Sequence, residues 1–197
     1  MKVMTRRKFF AAAVNVALAS TCLAGCSALP GGDPDPTLNP NQAVKRVDAV
    51  LDDTFKTVRP ELKWRDGPIR TTEGRNSFTN TSNGELTVGR TRYVRTKVSK
   101  EKLSELIKAV DTHWRREGFK VGELNPERPS LSATAPDGCT IKLSVGGVNN
   151  VYFDAGVGAI SPGRGFQVKG EEGDKFPKAP NGGPDYTPDV RDRYWST

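Results

Sequence analysis

The sequence predicts an α+β fold: a single two-layer domain in which two helices cover one face of an antiparallel sheet, in the order α-β-β-α-β-β-β. Three observations predict it. Two stretches carry apolar residues at spacings of three and four, the mark of a helix with one buried face. Several short segments are rich in β-branched and aromatic residues. The late strands are joined by connections of hairpin length, which makes their pairing antiparallel and leaves a sheet face for the helices to cover.

The domain is expected over residues 40–160. Asn39 is a suitable N-cap, and Pro40 suits the first helical position, where its missing N–H costs nothing. Ala43, Val44, Val47, Val50, Leu51, Phe55 and Val58 then share one face, Lys45, Asp48, Asp52 and Lys56 lie off it, and Pro60 ends the helix. Leu62-Lys63-Trp64-Arg65 alternates like a short strand, stopped by Asp66-Gly67-Pro68. The polar stretch Thr71 to Gly84 reads as a long loop or a ragged hairpin. Leu86 to Val98 is β-prone throughout and is expected to present Arg90, Arg92 and Arg95 to solvent.

Ser99 caps a second helix whose stripe is Leu103, Leu106, Ile107, Val110 and Trp114. Gly118 stops it, and Phe119 folds back on its last turn. Strands are then expected at Phe119 to Leu124, Leu131 to Ala135 and Cys139 to Val145. The last two are joined through Pro136-Asp137-Gly138, since Asp-Gly tolerates the positive φ of a tight turn. Val151 to Ile160 is the final strand. From Ser161 to Thr197, Gly, Pro and charge dominate, which predicts a disordered tail. Asp189 to Trp195 breaks that trend, and Tyr194 and Trp195 make it either a bland terminus or a partner-docking peptide.

Ahead of the domain, Met1 to Lys8 is a basic segment and Phe9 to Ala24 an apolar one, too short for a transmembrane span. Residues 1–25 therefore read as a cleaved export signal. Leu23-Ala24-Gly25-Cys26 resembles the lipobox of bacterial prolipoproteins, which implies diacylglycerol transfer to Cys26 and cleavage after Gly25. The residue types suit that chemistry: a thioether needs a thiol, and small residues let the peptidase approach the backbone. Thr5-Arg6-Arg7-Lys8-Phe9-Phe10 looks like a twin-arginine export motif, or Arg6 and Arg7 simply supply positive charge. Residues 26–39 form a Gly- and Pro-containing tether, long enough to hold the domain about 40 Å from the lipid.

The formal net charge of +7 overstates the mature chain, because four basic residues leave with the signal and 26 remain against 23 acidic ones. No basic block survives, which argues against a nucleic-acid partner. Of three cysteines, Cys22 leaves and Cys26 is lipidated, so Cys139 is left alone and is expected to behave as a small buried apolar residue.

Candidate chemistry is sparse. His113 is the lone histidine, better read as a satisfied helix residue than as a catalytic base, since nothing nearby in sequence serves as its nucleophile. One His and one free Cys make no typical zinc set, so neither a metal nor a cofactor beyond the covalent lipid is expected. Asp52-Asp53 and Glu171-Glu172 are adjacent pairs on solvated segments, and Gly163-Arg164-Gly165 lies in coil. Arg70, Arg75, Arg90, Arg92 and Arg95 either gather to attract anionic envelope polymers or keep a strand edge solvated.

With its lipobox and the pattern Gly118-Phe119, Leu131 to Gly138 and Ile141 to Val145, the chain resembles the small membrane-anchored lipoproteins of high-GC Gram-positive bacteria. That resemblance implies an extracytoplasmic, lipid-anchored location and no particular activity. The expectation is a noncatalytic module binding an envelope protein, polymer or lipid. The alternative is an envelope-acting hydrolase or transferase built from scattered carboxylates or His113.

Overall fold

The computed structural model describes residues 38–161 and 172–197, without the side chain of Val148. The stretches expected to be an export signal, with Arg6 and Arg7, a lipobox, Leu23 to Cys26, and a tether up to residue 37 lie outside the described residues.

Helix α1 (Pro40–Thr57) begins with a capping box: the Asn39 side chain accepts from the Gln42 amide at 3.0 Å, and the Gln42 side chain accepts from the Asn39 amide at 2.9 Å. Its buried residues are Pro40, Ala43, Val47, Val50, Leu51, Thr54 and Phe55; of the predicted stripe, Val44 is only half-buried and Val58 is buried as the C-cap, while Thr54 joins it. That hydroxyl donates to Val50 O at 2.9 Å and accepts from Trp114 Nε1 at 3.0 Å, so the polar group is satisfied inside the core. Trp114 belongs to helix α2 (Lys100–Arg116), whose buried residues are Leu103, Leu106, Val110, His113 and Trp114.

Among the described residues, seven strands form one sheet, antiparallel throughout: β1 (Trp64–Asp66), β2 (Arg70–Arg75), β3 (Ser82–Val94), β4 (Lys120–Val121), β5 (Ser130–Thr134), β6 (Thr140–Val145) and β7 (Val151–Ile160). Their order is β1-β3-β7-β6-β5-β4, with β2 also pairing β3. The stretch Thr71 to Gly84 resolves as the hairpin alternative, with a register shift between Glu73 and Arg75. The expected strand from Phe119 to Leu124 shrinks to two residues.

Alternation assigns the sheet faces. Phe153 and Ala155 of β7, Ile141 and Leu143 of β6, and Leu131 and Ala133 of β5 are buried beneath the helices; Phe153 meets Phe55 edge-on at 4.9 Å. Gly118 (φ 79°) ends α2 and lets Phe119 N donate back to Trp114 O, and Gly138 (φ 85°) closes the β5–β6 turn. Asp137 of that turn pairs with Arg46 of α1, tying the hairpin to the helix. The Arg46 guanidinium holds the Asp137 carboxyl below its usual range.

Two expectations are corrected. Arg90 and Arg92 are not presented to solvent: they are 7% and 3% exposed and point beneath α1, on the same side as Val88 and Val94. Alternation placed these four residues on one face, but which face is buried was not decided by the arginines. Arg95, at the end of the strand, is only half-buried and pairs with Asp189.

The second correction concerns the predicted disordered tail. Residues 162–171 lie outside the described residues, but residues 172–197 pack along the β1 side of the sheet. Asp174 N donates to Asp66 O at 2.7 Å, and Asp66 N donates to the Asp174 carboxylate at 2.8 Å. Val190 bridges the chain beyond β3, with Lys97 N donating to Val190 O at 2.8 Å. Asp189 takes both Arg65 and Arg95. Trp195 is 2% exposed, and its Nε1 donates to Pro60 O at 2.8 Å. Composition judges such a segment on whether it can bury its own surface. Here a few aromatic residues complete a surface that the domain has already half built.

Trp195→Ala is therefore expected to destabilise the domain by about 3 kcal/mol, read from urea unfolding of the two proteins; a change within about 0.5 kcal/mol, the range of a neutral surface substitution, would show that the C-terminal segment adds nothing to the core.

Candidate functional site

Three places gather polar chemistry or open space. The first lies between α1 and the sheet. Arg92 reaches Asp66 of β1 through Nε at 2.6 Å and Nη2 at 3.0 Å, and Asp52 of α1 through Nη1 at 2.9 Å. Its guanidinium lies 5.1 Å from the ring centre of Phe55 and 4.9 Å from that of Trp64. Arg90 pairs with Asp48 at 3.0 Å. Burial works against the charge on Arg92, but the carboxylates of Asp66 and Asp52 outweigh it and hold the pKa above the ordinary arginine value. The cluster is closed to solvent on the arginine side, so its chemistry is cohesive.

His113 is 5% exposed. Arg116 Nη2 donates to its Nδ1 at 3.2 Å, because a guanidinium can only donate. The ring proton is thus on Nε2, which donates to Asp53 at 2.8 Å. Both ring nitrogens are engaged and no nucleophile meets them, which makes this the satisfied helix histidine of the sequence reading. The adjacent carboxylates Asp52 and Asp53 diverge to Arg92 and His113; Glu171 lies outside the described residues.

The second place is a crevice of about 1040 Å³ between α2, the β4–β5 connection and the end of β6. Leu103, Ile107, Val121, Leu131 and Val145 line it, and Leu124 stands at its rim, 46% exposed. Charges of both signs border it: Lys100, Lys108 and Arg128 against Glu123 and Glu127. This volume and lining suit an apolar ligand.

The third is the sheet face turned away from the helices. The open side of β3 and β7 carries a hydrogen-bonded trio: Arg70 Nη2 donates to Thr91 Oγ1 at 2.6 Å, and Thr91 Oγ1 donates to Asp154 Oδ1 at 2.5 Å. Towards the C-terminal segment the same face turns aromatic, with Tyr93 stacked on Tyr186 at 4.2 Å, meeting Phe176 edge-on at 5.4 Å and lying 6.3 Å from Tyr152.

The arginines listed by sequence do not gather. Arg90 and Arg92 lie under α1, Arg70 on the open face and Arg95 against Asp189, while Arg75 donates to Asn80 O within its own hairpin. Of the terminal pair, Trp195 is buried within its own chain. Tyr194, 39% exposed, donates to Glu105 at 2.5 Å and lies under Lys102 Nζ, 3.9 Å from the ring centre. The docking is intramolecular. Asp66, Asp154, Phe176 and Tyr186 were not singled out by sequence. Only the alternation Tyr152, Asp154, Gly156, Gly158 along β7 signals the open face in advance.

Among the described residues, no group of three or more His, Cys, Asp or Glu is placed to hold a metal ion, and no helix is long and apolar enough to cross a membrane. No protein-family model and no curated protein matches the chain.

Cys139 is fully buried, and burial pushes its thiol up to about 11. At neutral pH it holds almost no thiolate. Peptide mapping after iodoacetamide treatment at pH 7.5 is expected to find Cys139 unmodified in the native protein and modified in urea; rapid native labelling would mark it as a reactive, accessible thiol.

Proposed function

We propose that this chain is a secreted bacterial lipoprotein, held at the extracytoplasmic face of the cell membrane by diacylglycerol on Cys26, and that its folded domain is a noncatalytic binding module of the cell envelope. The observation that carries the anchor is the run Leu23-Ala24-Gly25-Cys26 directly after a basic and then an apolar segment. Two acyl chains bind a bilayer far more firmly than one, since each buried CH₂ contributes about 0.8 kcal/mol. The tether then lets the domain stand clear of the headgroups. Support for a binding module comes from the apolar crevice beside α2 and the polar sheet face turned away from the helices. Three of its carboxylates are paired in structural roles: Asp52 with Arg92, Asp53 with His113, and Asp137 with Arg46.

Expression of wild type and Cys26→Ala in a lipoprotein-exporting bacterium tests the anchor. The wild type is expected in the membrane fraction, with a mature mass that reports diacylglycerol and loss of residues 1–25. The variant is expected to carry no diacylglycerol and to retain residues 1–25, whose apolar run can itself hold the precursor at the membrane, so mass is the deciding readout. An unlipidated mass for both would contradict the anchor. Crosslinking in intact cells tests the module, which predicts capture of an envelope component by the folded domain.

A further inference from the structure

Beyond the part that Phe176 and Tyr186 pack against, the sheet face turned away from the helices holds a trough of about 500 Å³ among the described residues. Its long walls come from strands remote in sequence: Arg70 of β2 on one side, Lys142 of β6 on the other, and Asp154 of β7 between them. Its floor is Gly89, paired with Gly156 across β3 and β7, and Gly156 is paired in turn with Thr140 of β6. Gly89 is required by packing, since a Cβ there would come within 3.0 Å of Ala155 O. Gly156 is different. A methyl there would meet its nearest neighbour, Val88 O, at an ordinary 3.5 Å, and the same holds at Gly158 against Thr87 Oγ1. Glycine in a strand interior weakens the strand and marks a bulge, a bend or the close approach of a ligand or another backbone; the β3–β7 register shifts beside it, between Leu86 and Val88. The missing side chain keeps the trough open.

The trough's chemistry selects its occupant. The side chains that face it are hydroxyls (Thr72, Thr87, Ser132, Thr134), glycines and charges, while the apolar members of the same strands turn to the helices. An acyl chain or an apolar peptide finds nothing there to bury against. A hydroxyl-rich ring does: its hydroxyls can donate to Asp154 and accept from Arg70 and Lys142. Two cations against one carboxylate leave the trough net positive. Lys142 is exposed and makes no ion pair among the described residues, whereas Arg70, its side chain 56% exposed, already pairs with Asp154 through Nη2 at 3.2 Å. A planar carboxylate fits the Arg70 fork, whereas the denser charge of a phosphate would crowd Asp154.

We propose that this trough binds an acidic glycan, a chain of sugar rings bearing carboxylates, seated over Gly156 between Arg70 and Lys142. The proposal deepens the reading of the domain as a binding module and rests on it. The test is calorimetric titration of the full mature chain in detergent with oligogalacturonate, with maltohexaose and polyglutamate as neutral and non-sugar comparators. Oligogalacturonate alone is expected to bind, more weakly as salt rises. Gly156→Val fills the trough with a good strand former, so binding is expected to fall at least tenfold while Tm holds or rises. Should that variant fold poorly, the exposed substitution Lys142→Gln, which removes the charge without setting a second carboxylate opposite Asp154, is expected to weaken binding at least threefold with Tm unchanged. A blank titration with wild type, equal binding of maltohexaose or polyglutamate, or undiminished binding by a folded variant would each overturn the assignment. A blank titration alongside in-cell capture of an envelope component would sink the ligand class and leave the module standing; failure of both would sink both.

Discussion

Arg92 sits almost wholly inside the protein, between the rings of Phe55 and Trp64, and its charge is met by one carboxylate from the helix and one from the neighbouring strand. Burying an ion is costly unless it is paired and hydrogen-bonded. This one therefore constrains everything around it. Asp48 and Asp52 are four apart on α1, a rise of about 6 Å, while Arg90 and Arg92 are two apart on β3, about 6.6 Å along a strand. The two rows of charge run in step, so each arginine finds its own aspartate. Asp66, opposite Arg92 in the β1–β3 register, closes the cluster from the side. A slip of one residue in β3 would turn both arginines to the open face and strand three carboxylates.

The constraint extends to the C-terminal segment. Asp66 exchanges backbone and side-chain hydrogen bonds with Asp174, so the strand that holds Arg92 is itself held by the last part of the chain. That segment also covers the side of the sheet beside β1, which would otherwise offer free backbone groups for pairing with another chain. Arg65 and Arg95, on the open side of the same strands, clamp Asp189. Arginines thus join both faces of the β1–β3 pair to what lies over them, α1 on one face and the C-terminal segment on the other.

How far this was legible follows from what each signal measures. The helices were legible because one-sided burial writes a period into the sequence, and their caps, Asn39 and Ser99, are local chemistry. The direction of Arg90 and Arg92 was not, because charge suggests solvent whereas Val88 and Val94, in the same period-two row, point to the core. The valines were the better guide. Docking of residues 172–197 was hidden because Trp195 meets Pro60, and Val190 meets Thr96, across long separations. The trough was hidden for the same reason: Arg70, Lys142 and Asp154 come together only once the strand registers are known. Nothing about the fold bears on Cys26, whose reading rests on its own local sequence, so anchor and ligand stand on separate observations.

The charge pairs of Arg92 hold helix and sheet in register. A double-mutant cycle on Arg92→Met and Asp66→Ala, followed by urea unfolding, measures this coupling. Each single variant is expected to lose stability strongly, with a coupling of about 1–3 kcal/mol, because each leaves the other's charge stranded. Losses that simply add, to within about 0.3 kcal/mol, would show that the pair holds nothing in place.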